Sequence, residues 1–229
     1  MSYSAKEEWS KAITGTTAAF PAQGLIRMFR GDYPNLSKMP RNCSLLDIGC
    51  GDGRNAKFLQ DEGYEVIGIE ISSEIVNHLS QNFADVEFKV GQSDNLPIAS
   101  GTVDIAVAWN SIYYMGMGEL NILKNLQECK RVLSNAESVL ILSIPMPTSF
   151  IFADSEVVTE NEGVEYRVIR NDPYGARNGE IMACFPDVEN LSSMITLSGF
   201  ERIEIGEERG DWFGRRYDWW VIACRPGNR

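Results

Sequence analysis

The run Leu45-Leu46-Asp47-Ile48-Gly49-Cys50-Gly51-Asp52-Gly53-Arg54-Asn55 joins a short apolar segment to one of helical spacing through three glycines. A buried strand that ends in a glycine cluster and passes straight into a helix reads as the first turn of a doubly wound sheet. Such a turn is a ligand crevice, because strand carboxyl ends and a helix N-terminus meet there. Glycines permit positive φ and let a ligand touch the backbone.

Outward from this turn the chain keeps a strand–helix rhythm. Ser44–Ile48 is the first predicted strand, and Asn55–Glu62 the helix after it. Glu65–Ile69, Val86–Val90, Val103–Ala108 and Val139–Ile144 follow as strands, with helices over Glu74–Phe83 and about Glu119–Leu133. The alternation predicts a parallel sheet with helices on both faces. After Pro145 it breaks. Residues 145–186 read as an inserted substrate lobe with strands at Val164–Ile169 and Glu180–Phe185. Asp187–Leu197 returns to helix. Phe200–Ile205 and Asp218–Cys224 then read as an antiparallel pair around an exposed turn, Gly206–Tyr217. The first forty residues read as a short helical cover, so residues 1–229 are expected to form one domain.

Three ligand classes compete for the glycine turn. A nucleoside triphosphate calls for G-x-x-x-x-G-K-[ST], which is absent. A dinucleotide calls for G-x-G-x-x-G; Gly49 and Gly51 fit, but Arg54 stands where the third glycine belongs. Asp47, Asp52 and Glu70 would repel a pyrophosphate. They suit a ligand with an ammonium, a sulfonium and a ribose diol, which is S-adenosylmethionine. Glu70 has the spacing of an acidic residue that accepts ribose hydroxyls.

Leu46–Gly53, Val66–Ser72, Gly91–Ile98, the Asp104–Val107 strand and the Leu126–Leu133 helix leading to Val139–Ile144 occur in that order. Over about residues 40–145 the chain thereby resembles the class I S-adenosylmethionine-dependent methyltransferases. The resemblance implies a Rossmann-like, mostly parallel seven-stranded sheet with an antiparallel last strand. It also implies cofactor roles. Asp47, Gly49, Cys50, Gly51, Gly53 and Asn55 form the loop beside the methionine part and ribose. Glu70 binds the ribose and Ile71 packs on adenine. Gln92, Ser93 and Asp94 stand where the family reads the adenine edge, with Gln92 at the usual Asp position. Trp109 and Asn110 stand near the methionine end. In such families leading helices lie over the cofactor. Residues 1–30, with Tyr3, Trp9 and Phe20, and residues 145–186 are therefore expected to close over the methyl group.

Methyl transfer asks the protein to place the acceptor and exclude water. A general base is needed for a hydroxyl acceptor; Tyr113, Tyr114, Asp172 and Tyr33 are candidates. The position after the fourth strand, Trp109-Asn110-Ser111-Ile112-Tyr113, lacks the Pro-Pro and Pro-Cys motifs of amino-base and cytosine enzymes. A small-molecule O or N acceptor is left. Arg170 and Arg177 in the insertion hint that it is anionic or sugar-like. A cofactor-binding module without turnover and an NAD-linked oxidoreductase are the competing functions.

Composition narrows the partners. Net charge is −11, from 21 basic and 32 acidic residues, which disfavours nucleic acid. No run approaches the roughly 20 apolar residues of a membrane helix, and Met1–Ser10 is polar, unlike a secretory leader. Five cysteines with no C-x-x-C pair suggest reduced core thiols in a cytoplasmic protein. One histidine, His78, speaks against a His-rich metal site, so no metal is expected.

Overall fold

The protein is described from a computed structural model that covers residues 20–116 and 119–227. Its strands are β1 (Ser44–Ile48), β2 (Glu65–Glu70), β3 (Glu87–Val90), β4 (Ile105–Trp109), β5 (Tyr114–Met115) and β6 (Val139–Pro145). They continue with β7 (Ser155–Asn161), β8 (Val164–Ile169), β9 (Ile181–Cys184), β10 (Phe200–Trp212) and β11 (Arg215–Pro226). The helices are α1 (Gln23–Arg30), α2 (Arg54–Asp61), α3 (Ser73–Asn82), α4 (Ile122–Val132) and α5 (Val188–Leu197).

Seven strands form the main sheet in the order β3-β2-β1-β4-β6-β11-β10. β3, β2, β1, β4 and β6 pair in parallel, and β11 runs antiparallel to both β6 and β10. Burial on both faces explains why β4 and β6 read as unbroken apolar runs. Successive side chains point to opposite faces. Leu45, Val107 and Ile141 pack with Leu25, Leu59 and Ile75 of α1, α2 and α3. Leu46, Ala106 and Leu140 pack with Leu126 and Leu191 of α4 and α5.

The insertion folds as a second, antiparallel sheet in the order β5-β9-β8-β7. It has no separate core. Val164, Tyr166, Met182 and Phe185 share one apolar cluster with Leu140, Leu142 and Ile144 of β6. Its innermost strand, β5, is borrowed from the segment that follows β4, which ties the lobe to the carboxyl end of the main sheet.

The ends of several elements differ from expectation. The segment Gly206–Tyr217 is not a turn: β10 and β11 run through it and reverse at Phe213 and Gly214, both with positive φ. A two-residue reversal of that kind matches the twist of a hairpin. This outer ribbon is solvated on both faces, so it lacks the apolar alternation that marks a strand. β7 lacks that alternation too, being exposed along nearly its whole length. α4 begins at Ile122, where the Asn121 side chain accepts the Leu123 N–H, rather than at Glu119. Val103 makes only an isolated bridge to Leu133 and lies outside β4.

Candidate functional site

A cavity of about 390 Å³ opens at the carboxyl ends of the parallel strands. Gly49 lines it just after β1, Ile71 after β2, Gly91 after β3 and Asn110 after β4. On the far side it is bounded by Tyr114 of β5, Asn125 of α4, and Ala176, Arg177 and Glu180 of the insertion.

The glycine turn is shaped by its hydrogen bonds. Gly49 and Cys50 both donate their N–H to the carbonyl of Ile69, at 2.8 and 2.9 Å. Gly49, Gly51 and Gly53 all have positive φ (69°, 55° and 77°). A Cβ at Gly49 would lie 2.5 Å from Cβ of Ser111, so that glycine is also needed for space. Ser111 in turn donates from Oγ to the Ile48 carbonyl at 2.6 Å, drawing the segment after β4 onto the loop.

Glu70 is 4% exposed at the end of β2 and lines the cavity. Its Oε2 accepts the N–H of Gly51 at 3.1 Å and its Oε1 that of Ile71 at 2.8 Å. Two backbone donors therefore fix the carboxylate against the loop. A carboxylate has about four acceptor positions, so these bonds are compatible with further donors from a diol. Gln92, Ser93 and Asp94 also line the cavity. Asn110 takes positive φ (55°) and is held by Ser143, whose Oγ donates to Asn110 Oδ1 and accepts the Asn110 N–H, each at 2.8 Å.

Other expected cofactor residues stand behind the loop rather than on the cavity wall. Asp47 is 1% exposed; among the described residues its Oδ2 has no hydrogen-bond partner. Burial pushes its carboxyl up to about 7, helped by Asp52 and Glu70 and opposed by Arg54 and the Ala56 N–H. Cys50 is buried beside Gly68. Gly53 faces Leu79 and Phe83, and the Asn55 side chain accepts the Ala22 N–H at 2.9 Å. The Trp109 ring is buried against Gly24 of α1, on the helix-covered face of the sheet. No residue of α1 lines the cavity. Tyr3 and Trp9 lie outside the described residues.

The catalytic candidates separate in the same way. Tyr114 lines the cavity, and its hydroxyl accepts the Nε–H of Arg177 at 3.1 Å. Burial raises the Tyr114 phenol although Arg177 opposes it. The phenol thus favours its protonated form. Tyr113 is fully buried behind it, the two rings stacked at 5.0 Å. Asp172 is buried and points at Arg177 rather than into the cavity. Its Oδ1 pairs with Nη1 at 3.1 Å, and its Oδ2 accepts the N–H groups of Ala176 and Arg177. Tyr33 is exposed beside Gly31, away from the cavity. Arg170 is also exposed and pairs with Glu156. Ser111, Asn125 and Glu180 went unnoticed in the sequence, because no motif marks them and only the folded insertion brings Glu180 to this wall.

These residues fit S-adenosylmethionine. The left-handed Gly49 brings backbone to the cavity while Gly51 and Gly53 stand behind it, Glu70 is fixed at its wall, and a buried Asp47 oxygen without a hydrogen-bond partner among the described residues lies beneath the loop. Among the described residues no group of acidic, histidine or cysteine side chains could hold a metal ion. No helix among them is long and apolar enough to cross a membrane.

Comparison with known proteins agrees. A family model for a methyltransferase domain matches residues 45–136. A Haemophilus influenzae protein, named a probable S-adenosyl-L-methionine-dependent methyltransferase TehB, is 26% identical over 68% of this chain and 54% of its own length. The chain spans about half the length of the TehB relatives it matches. Among solved structures, a SAM-dependent methyltransferase from Methanosarcina mazei superposes with a TM-score of 0.64 at 22% identity, over 86% of this chain and 99% of the other. A Burkholderia thailandensis 1,6-didemethyltoxoflavin-N1-methyltransferase with bound S-adenosylhomocysteine gives 0.57 at 14% identity, over 82% and 72%. In its strand order and glycine turn the chain is similar to these S-adenosylmethionine-dependent methyltransferases, and residues 45–136 match the methyltransferase-domain family.

Proposed function

We propose that the chain transfers a methyl group from S-adenosylmethionine to a nitrogen or oxygen atom of a small molecule. The observation that carries this reading is the two-ended cavity. One end has the glycine turn, Glu70 and the Gln92–Asp94 segment; the other is walled by Tyr114, Arg177 and Glu180 of the inserted sheet. When bound, the cofactor supplies a methyl group already activated by a sulfonium. This chain's residues have the simpler tasks. Glu70 receives the ribose hydroxyls, Ile71 packs on the adenine, and Gln92 and Ser93 meet its polar edge. Tyr114 and the insertion position the acceptor and keep water out, where desolvation and orientation supply much of the rate.

The net charge of −11 supports a small acceptor over a nucleic acid. The arginines of the insertion lend less support to an anionic acceptor than their number suggests, because Arg177 is matched by Asp172, Arg170 by Glu156 and Arg167 by Glu165. Thermal-shift titration is the first test: S-adenosylhomocysteine should stabilise the protein and NAD should not. Transfer of labelled methyl from S-adenosylmethionine to a metabolite extract is the second. Stabilisation without transfer to any metabolite would favour a binding module without turnover.

A further inference from the structure

Tyr114 is fixed at three points. It belongs to β5, whose pairing with β9 places it opposite Met182 and in the wall of the cavity. Its ring stacks on that of the buried Tyr113, with the centroids 5.0 Å apart. Its hydroxyl oxygen accepts the Nε–H of Arg177 at 3.1 Å. That donor is fixed in its turn. Arg177 pairs through Nη1 with Asp172, whose side chain is fully buried and whose other oxygen accepts the N–H groups of Ala176 and Arg177. The guanidinium also lies over the rings of Phe150 and Tyr174, at 6.0 and 5.9 Å.

A phenol keeps its proton at neutral pH and has one hydrogen to donate. With Arg177 on the oxygen, that hydrogen is what Tyr114 has left to offer, and no described residue accepts it. The charges nearby call for no counter-charge in a ligand. At this end of the cavity Glu119 and Glu180 stand against Lys124 and Arg177; Glu119 and Lys124 form an ion pair, and Glu180 is itself engaged. We infer that the methyl acceptor is an uncharged molecule bearing a carbonyl-type oxygen, and that this oxygen takes the Tyr114 O–H. Tyr114 then determines specificity, and Arg177 is a positioning residue that acts through it. An ammonium has no lone pair to receive the O–H, and a site built around a hydrogen bond rejects ligands that leave it unmade. A carboxylate accepts the bond but brings a charge to a wall whose two cations are already matched.

The inference rests on the methyl-transfer reading, and the test separates the two. Calorimetric titration of the protein saturated with S-adenosylhomocysteine uses two sets of matched probes: acetophenone, 1-phenylethylamine and benzoate, then cyclohexanone, cyclohexylamine and cyclohexanecarboxylate. The ketone of at least one set should bind roughly fivefold or more tighter than its amine and its acid. Tyr114→Phe should weaken that ketone about tenfold and abolish the preference, while S-adenosylhomocysteine affinity stays within twofold. Infrared difference spectra give the direct signature: the carbonyl stretch of the bound ketone should lie lower in the wild type than in Tyr114→Phe. Arg177→Met combined with Asp172→Asn removes the donor and the charge it matched, and should move the stretch part of the way back. Equal or tighter binding of an amine or acid in both sets, binding of no ketone, or the same stretch in wild type and Tyr114→Phe overturns the inference. An unchanged stretch in the double variant overturns the positioning role of Arg177. The wild-type preference decides the acceptor class even if a variant does not fold. Failure of S-adenosylhomocysteine itself to bind would instead overturn the methyl-transfer reading.

Discussion

The backbone N–H of Gly51 donates to Oε2 of Glu70 across 3.1 Å, so the glycine turn and the end of β2 are one unit. The bond orients a carboxylate whose other oxygen is held by the Ile71 N–H. Glu70→Ala removes this anchor together with the acceptors proposed for two ribose hydroxyls. Hydrogen bonds to charged groups are worth roughly 1.5–3 kcal/mol each, and some loss is offset by solvation of the freed donors. S-adenosylhomocysteine affinity should weaken by about 2–4 kcal/mol, measured by calorimetry, with cooperative unfolding retained. An unchanged affinity would remove Glu70 from the ribose site.

Gly49 is constrained twice, by a φ of 69° and by the 2.5 Å approach that a Cβ would make to Ser111. Gly49→Ala should lower stability by about 1–3 kcal/mol and weaken the cofactor site. Part of that cost is the collision, and Ser111→Gly removes the colliding atom. In a double-mutant cycle on urea unfolding, the pair should therefore be less unstable than the two single losses added together. Simple additivity would show that the collision is relieved by local movement and that only the backbone strain matters.

The strand-end half of the cavity was legible in sequence because it is local. Gly49, Glu70 and Gln92 each sit at the end of a strand whose apolar run marks its position, and doubly wound topology brings strand ends together. Residues whose backbone shapes the loop were legible too, but not the direction of their side chains. Asp47 and Trp109 belong to the correct strands, yet the alternation of β1 and β4 turns them away from the cavity. The acceptor half was opaque for a different reason. It depends on β5 pairing with β9 across more than sixty residues, and neither strand announces that pairing. Arg177 could be noticed as a cation, but its ion pair with Asp172 depends on a turn visible only in the fold.

That ion pair gives a sharp contrast between two arginines of the insertion. The Asp172 side chain is 0% exposed and that of Arg177 19%, whereas Arg170 and Glu156 are 49% and 69% exposed. Removing one member of a buried pair strands the other charge and costs about 3–5 kcal/mol; exposed pairs contribute about 0–1 kcal/mol. Asp172→Ala should therefore destabilise the protein by about 3 kcal/mol in urea titration, the lower end reflecting the partial exposure of Arg177. Arg170→Ala should change stability by less than about 0.5 kcal/mol. Comparable losses in both variants would mean that Arg177 finds another partner when Asp172 is gone.

Asp47 predicts the pH dependence of stability. Burial, with Asp52 and Glu70 nearby, pushes its carboxyl from an ordinary 3.8 to about 7 in the folded chain. The folded state therefore holds this proton more tightly than the unfolded state does. Below about pH 4 both states are protonated and the contribution is whole. Between pH 4 and 7 the unfolded chain releases the proton first, so stability falls as pH rises, and above 7 the loss is complete. At about 1.4 kcal/mol per pH unit the total is at most about 4 kcal/mol. Asp104 and Glu128 are shifted the other way, below their ordinary values. Their contributions are complete by about pH 5, below the interval from 5.5 to 7.5 in which Asp47 acts. The buried thiols and phenols with raised values act only above that interval. Asp47→Asn keeps the side chain's size and removes the titration. Urea unfolding at pH 5.5 and 7.5 should show an Asp47-dependent loss of about 2 kcal/mol in the wild type that is absent from the variant, which should also be the more stable of the two at pH 7.5. A wild-type stability that rises across this interval would show that Asp47 is ionised in the folded protein and held by a partner, with the glycine turn resting on a charged carboxylate.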